Sequence, residues 1–293
     1  MKILITGGSG LLGQFLNLEL SKNNNILTLY HSHIGNCNNY NHISIDILNI
    51  DLLAPIFRKF RPDIVIHTAA VSNPKLADKL PDNIVYTINV TATGKLAELC
   101  SDNNAKLIYT STDLVYDGST GKMLDENSKL NPLSLYAYTK LMGEEKIKET
   151  FNNYIILRTA LMYGFGLNHS ANHFTNVYKN LSVGKPVKLF YDQFRSPVAL
   201  HDAARMISEL VKLNLTGETL NFGGNERVSR FKLGEILCEE IGSNKSLLKK
   251  ISLDEINGFY KVKDVSMNIT RLINFGIEPK GIRKLIKEFI NYT

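Results

Sequence analysis

The sequence predicts an α/β fold of the Rossmann type: a doubly wound parallel sheet followed by a smaller mixed α/β C-terminal domain. Three observations predict it. Short β-branched runs alternate with amphipathic runs through the first half of the chain. A glycine turn, with Gly7, Gly10 and Gly13 in G-x-x-G-x-x-G spacing, follows the first of those runs directly. The alternation then loosens beyond residue 165. Strands that alternate with helices imply a parallel sheet covered on both faces.

The elements follow in order. KILIT (2–6), NILTLY (25–30), DIVIHTAA (63–70) and AKLIYTS (105–111) read as buried strands, with a further strand ending at SIDI. QFLNLELSK, LAPIFRKF and NVTATGKLAELCSDN carry apolar residues at helical spacing. Pro55 belongs in a first helical turn, where its missing N–H costs little. The Asn-rich GNCNNYNH (35–42) reads as a polar connection. A helix is predicted over 135–150 and a strand over NYIILRTALMYG (153–164). Farther on, HFTNVYKNLSVG, RFKLGEILCEEIG and GIRKLIKEFINY read as helices and TLNFGG as a strand. His201–Asp202 should start a helix, with Asp202 as its cap, and KSLLKK (245–250) reads as a solvated surface. The expected organisation is a dinucleotide-binding domain over 1–165 and a discontinuous substrate-binding domain over 166–293. Segments near 196–223 return to the first domain.

Composition narrows the class. A chain of 293 residues, 44% hydrophobic and 21% charged, fits a soluble globular protein of about two domains. No apolar run reaches the ~20 residues of a membrane span, and MKILIT reads as a strand rather than a signal peptide. Cys37, Cys100 and Cys238 are widely spaced with no CxxC, which suits a reducing, cytoplasmic setting. A net charge of +6 would attract a phosphorylated ligand; no nucleic-acid module accompanies it, so no nucleic-acid partner is expected. No solenoid repeat is present.

The glycine turn carries the cofactor expectation. A tight turn needs a residue without Cβ, a pyrophosphate needs close approach to backbone N–H groups, and the helix must pack on the strand. At the second strand's end, LYHSH (29–33) offers no acidic residue to hold the ribose 2′-hydroxyl of NAD. His31 and Ser32 could accept a 2′-phosphate, or be plain surface residues, so NADP(H) is preferred and NAD(H) stays compatible. Asp46 could accept the adenine amino group or cap a turn. Ala69 and Ala70 are small where a nucleotide would pass, or are ordinary core.

YAYTK (136–140) holds two tyrosines and a lysine. Residues four apart share a helix face, so Tyr136 neighbours Lys140 while Tyr138 points elsewhere. A tyrosine of pKa ~10 transfers protons poorly at neutrality, and a close ammonium should lower that value. In YTSTDLVYDG (109–118), Thr112 closes a strand at the sheet's carboxyl edge, where it could donate to an oxygen gaining charge or merely cap the strand.

Together TGGSGLLG, STDLVYDG, PLSLYAYTKLMGE and DQFRSPVALHDAA resemble the extended short-chain dehydrogenase/reductases, and within them the dTDP-4-dehydrorhamnose reductase (RmlD-like) sugar-nucleotide family. The similarity runs nearly end to end. It implies Thr112, Tyr136 and Lys140 as the catalytic residues, with Thr112, Asp113, Tyr136, Leu161 and Arg195 against the substrate. It places Gly7, Ser9, Gly10, Leu11, Leu12 and Gly13 on the cofactor. His31, Ser32, Asp46, Ile47, Ala69, Ala70, Asn89 and Lys140 complete that set. The implied reaction is NAD(P)H-dependent reduction of a 4-keto group on a nucleotide-linked deoxysugar, for cell-surface polysaccharide synthesis. A homodimer is compatible with it.

One departure stands out: the family's R-T-x-W-x-Y-G segment is RTALMYG here, with Leu161 in place of the tryptophan, which points to aliphatic packing on the sugar. Arg195 could bind a diphosphate bidentately or form a surface salt bridge. Two rival readings follow from the same resemblance. One is a non-catalytic regulatory subunit, like the β subunit of methionine adenosyltransferase. The other is a nucleotide-sugar epimerase or dehydratase, with Asp113 as the acidic neighbour of Thr112. His169 and His173 are four apart, but with no third ligand they read as surface histidines, and no metal is expected.

Overall fold

In the computed structural model, which describes residues 1–256, 258 and 260–291, the β-branched runs of the first half become strands and the amphipathic runs between them helices. They are β1 (Lys2–Thr6), α1 (Gly13–Leu20), β2 (Asn25–Tyr30), β3 (Asn41–Ser44), α2 (Leu53–Phe60) and β4 (Ile64–His67). Then come α3 (Pro74–Ala77), α4 (Asp82–Tyr86), a π-helical turn over Thr87–Thr91, α5 (Ala92–Asp102), β5 (Lys106–Thr112), α6 (Leu135–Thr150) and β6 (Tyr154–Thr159). The second half holds β7 (Met162–Tyr163), α7 (His173–Ser182), β8 (Val187–Phe190), β9 (Phe194–Arg195), β10 (Val198–Ala199) and α8 (Leu200–Leu210). It continues with β11 (Glu218–Phe222), β12 (Val228–Ser229), α9 (Arg230–Glu240), β13 (Leu248–Ile251), α10 (Thr270–Asn274) and α11 (Ile282–Asn291).

Seven strands form one sheet in the order β11-β6-β5-β4-β1-β2-β3, every neighbour parallel. The fold is α/β of the Rossmann type. Because side chains alternate across a strand, Ile3 and Ile5 face a layer built on α1, α8 and α10. Leu4 between them faces the opposite layer of α2, α5 and α6. The strand order reverses beside β1, so the carboxyl ends of β1 and β4 flank the crevice where such sheets receive ligands. A separate apolar cluster joins α7, α9 and α11 over β8 and β13, around Phe174, Leu189, Leu237 and Ile286.

Several boundaries differ from expectation. The run 153–164 is broken at Ala160 into β6 and β7, and β7 leaves the large sheet to pair with β10. KSLLKK is not merely a solvated surface: its second half is β13, which pairs with β8 and buries Leu248 while Lys249 and Lys250 stay exposed. Asp202 is not a cap. Ala199 holds that position, and the Asp202 carboxylate accepts from Arg205 Nε at 2.8 Å and Lys280 N at 2.9 Å. Among the described residues no helix is long and apolar enough to cross a membrane.

Candidate active site

The glycine turn is tight for reasons its neighbours make plain. Gly7 sits at φ +67°, and a Cβ there would lie 2.7 Å from Ala69 N. A Cβ on Gly13 would lie 2.1 Å from Gly7 O, so only glycine lets α1 pack onto the turn. Gly8, which the spacing did not single out, is the most crowded: a Cβ there would meet Thr28 Oγ1 at 1.6 Å. The doubled glycine in ITGGSG was the available signal.

From this turn a cleft of about 1200 Å³ runs between the sheet's carboxyl edge and the second half of the chain. Ser9, Gly10, Leu11 and Leu12 form one wall, and Ala69 and Ala70 face them past the end of β4. His31, Asp46 and Ile47 line its far end. His31 Nε2 stands 3.7 Å from Asp46 Oδ2, while Asp46 Oδ1 accepts the Leu48 N–H at 3.0 Å, so this residue caps a turn as well. Ser32 is not on the cleft wall; it is exposed, with its hydroxyl against His33 Nδ1 at 3.0 Å. Asn89 also lies off the wall. It is buried in the π-helical turn, where Oδ1 accepts Val71 N at 2.9 Å and Nδ2 donates to Thr139 Oγ1 at 3.0 Å. It therefore ties the Ala69–Val71 segment to α6 rather than facing a cofactor.

Gln14, in the first turn of α1, reaches from that helix to the loop over 167–170. Its Nε2 donates to Leu167 O at 3.0 Å and Ser170 Oγ at 2.8 Å, and Asn168 Nδ2 donates to its Oε1 at 2.5 Å. One amide thus fastens the glycine turn's helix to the loop that leads into α7.

The middle of the cleft holds Thr112, Tyr136 and Lys140. Ser134 caps α6 by accepting Ala137 N at 3.2 Å, which sets Tyr136 and Lys140 one turn apart on the buried face. Tyr138 is 50% exposed, as its position on the other face requires. Lys140 Nζ sits 4.0 Å over the Tyr109 ring. Thr112 caps the strand end, its Oγ1 accepting Leu114 N at 3.2 Å, and it stands within reach of the Tyr136 phenol.

The electrostatics correct one expectation. Burial pushes Tyr136 up to about 12, against a smaller lowering by the Thr112 hydroxyl. Burial likewise pulls Lys140 down to about 7, with Glu144 opposing. The ammonium does not bring the phenol down, because both groups are desolvated and the lysine is itself close to losing its proton.

Sequence reasoning missed the supports behind this trio. His67 is buried between Thr6 Oγ1 (2.7 Å) and Thr93 Oγ1 (3.0 Å), held neutral by burial and Lys140 at about 3. Glu144 accepts Ser111 Oγ at 2.5 Å and pairs with Arg158 at 2.9 Å, locking the end of β5 to α6 and β6. No local pattern marks such residues, since their partners lie far away in sequence.

Leu161 lines the cleft together with Asp113, Arg195 and Arg230. Arg195 is not a surface residue: it is 6% exposed, with Nη1 3.8 Å from Asp113 Oδ2. Among the described residues no group hydrogen-bonds either of those two atoms. Arg230, absent from the expected set, anchors Nε on Gln193 Oε1 at 2.9 Å and lies within Coulomb reach of both. His173 begins α7 while His169 precedes it and stacks on His33 at 4.8 Å, so the two histidines do not share a helix face. Among the described residues no three metal-binding side chains cluster.

Several known proteins are similar to this chain. The bovine methionine adenosyltransferase 2 subunit beta is 26% identical over 99% of this chain and 88% of its own length. The dTDP-4-dehydrorhamnose reductase of Aggregatibacter actinomycetemcomitans is 26% identical over 100% of this chain and 99% of its own. The structure of a dTDP-4-dehydrorhamnose reductase from Bacillus anthracis, solved with NADP, matches with a TM-score of 0.86 at 25% identity, covering 100% of this chain and 99% of that one. With residues 1–292 matching the RmlD substrate binding domain, the chain belongs to that family.

Proposed function

We propose that the chain reduces the 4-keto group of a nucleotide-linked deoxysugar, using NADPH in preference to NADH. The observation that carries this is the convergence of Thr112, Tyr136 and Lys140 on one cleft, directly beyond a glycine turn that admits no Cβ. That cradle fits a dinucleotide's pyrophosphate, and the bound cofactor supplies the hydride. With its proton held up to about 12, Tyr136 is a full donor at neutral pH, suited to protonating the alkoxide that reduction creates. Thr112 donates to the same oxygen as charge develops on it. Lys140, buried one helical turn from Tyr136, would hold the cofactor's ribose. His31 at the far end, with no acid on the strand before it, suits a 2′-phosphate.

Residues 1–165, with the segments over 196–223, would carry the dinucleotide and the remainder the sugar nucleotide. Three buried free thiols suit a cytoplasmic enzyme. The test is NADPH oxidation by purified protein over a panel of 4-keto nucleotide sugars. Tyr136→Phe should lower kcat by roughly 10²–10⁴-fold and leave NADPH binding nearly unchanged. The similarity to the methionine adenosyltransferase subunit favours a second reading, a regulatory protein; binding of NADPH without turnover on any substrate would select it.

A further inference from the structure

The cleft wall next to Thr112 contains two buried polar atoms that the protein leaves unbonded. Asp113 Oδ2 and Arg195 Nη1 face each other at 3.8 Å, and the two residues are 4% and 6% exposed. That separation is too long for a direct hydrogen bond, yet a single oxygen can touch both at about 2.8–2.9 Å. The rest of the carboxylate has its own partner: Thr112 Oγ1 donates to Asp113 Oδ1 at 3.4 Å. The same contact sets the pair beside the hydroxyl that would take the ketone oxygen.

The chemistry of the two atoms restricts what fits. Nη1 only donates and Oδ2 only accepts. A phosphate oxygen would satisfy the guanidinium and be repelled by the carboxylate; an ammonium would do the reverse. An alcohol both donates and accepts, and so satisfies both at once. In a 4-keto sugar, the alcohol next to the carbonyl is the one on C3.

Resting on the reductase reading, we propose that Asp113 and Arg195 read the free C3 hydroxyl of the substrate, so that the enzyme takes α-hydroxy ketones and rejects 3-deoxy sugars. Arg195 thereby belongs to the sugar subsite rather than to the diphosphate.

Wild-type protein with NADPH is given dTDP-4-dehydrorhamnose and its 3-deoxy counterpart. A kcat/KM at least roughly 100-fold lower for the deoxy sugar is expected, because the lost alcohol leaves two buried polar atoms unpaired. Values equal within about threefold overturn the proposal. In Asp113→Ala the ratio should fall towards unity through loss on the hydroxy substrate alone; an unchanged ratio in the folded variant also overturns it. If neither sugar nor any other of the panel is reduced, the reductase reading fails by itself. Titration of dTDP-rhamnose and its 3-deoxy form into NADP⁺-saturated protein then decides. A deoxy penalty of at least about 30-fold keeps the hydroxyl reader, and equal binding removes it.

Discussion

Tyr136 and Lys140 show what one residue's surroundings do to its chemistry. Their shared face was legible from a spacing of four, and the exposure of Tyr138 follows from the same geometry. Their proton affinities were not legible, because these depend on Tyr109 and the sheet packed over them. Lys140 titrates near 7 in the fold and ~10.4 when unfolded, so between those values the unfolded chain binds the extra proton. Stability should therefore rise as pH climbs from 7 towards 10, the penalty being fully present below 7. Urea unfolding at pH 6, 7.5 and 9.5 should show this rise in wild type, on the order of a few kcal/mol, and its absence in Lys140→Met. Asp113 and Arg195 were legible as substrate-side residues, yet their mutual pairing was not, since 82 residues (195 − 113) separate them.

At the scale of elements, the glycine turn and α1 form one unit. Gly13→Ala would drive a methyl to 2.1 Å from a backbone oxygen that has no room to yield. We expect a loss of about 2–3 kcal/mol in urea unfolding, together with weaker NADPH binding. The π-helical turn is a second such unit. Asn89→Ala would leave Val71 N and Thr139 without their partner, costing about 1–3 kcal/mol and loosening the floor under the cofactor. Calorimetric unfolding and an NADPH titration would both register it. Long strands and helices could be read from periodicity. The two-residue strands β7, β9, β10 and β12 could not, because so short a run carries no period and is fixed only by its distant partner.

For the whole molecule, the seven-stranded sheet was foreseeable because consecutive strands mostly pair with near neighbours. The second half was less so, since β13 and β8 pair across two helices and four strands of intervening chain, and the last helices pack on elements far behind them. A cleft lying between two such halves should transmit ligand binding to global stability. NADPH at a hundred times its Kd should raise Tm by about 4–5 °C, by thermal scan.

The amide of Gln14 ties the helix behind the glycine turn to the loop over 167–170, and this has a consequence for how the ligands influence each other. Whatever orders the pyrophosphate seat also steadies the loop over 167–170, and the reverse must hold to the same degree. NADP⁺ and sugar nucleotide should bind with positive cooperativity. Replacing that side chain by alanine should turn them into nearly independent guests, a change that titrating each in the other's presence and absence would reveal.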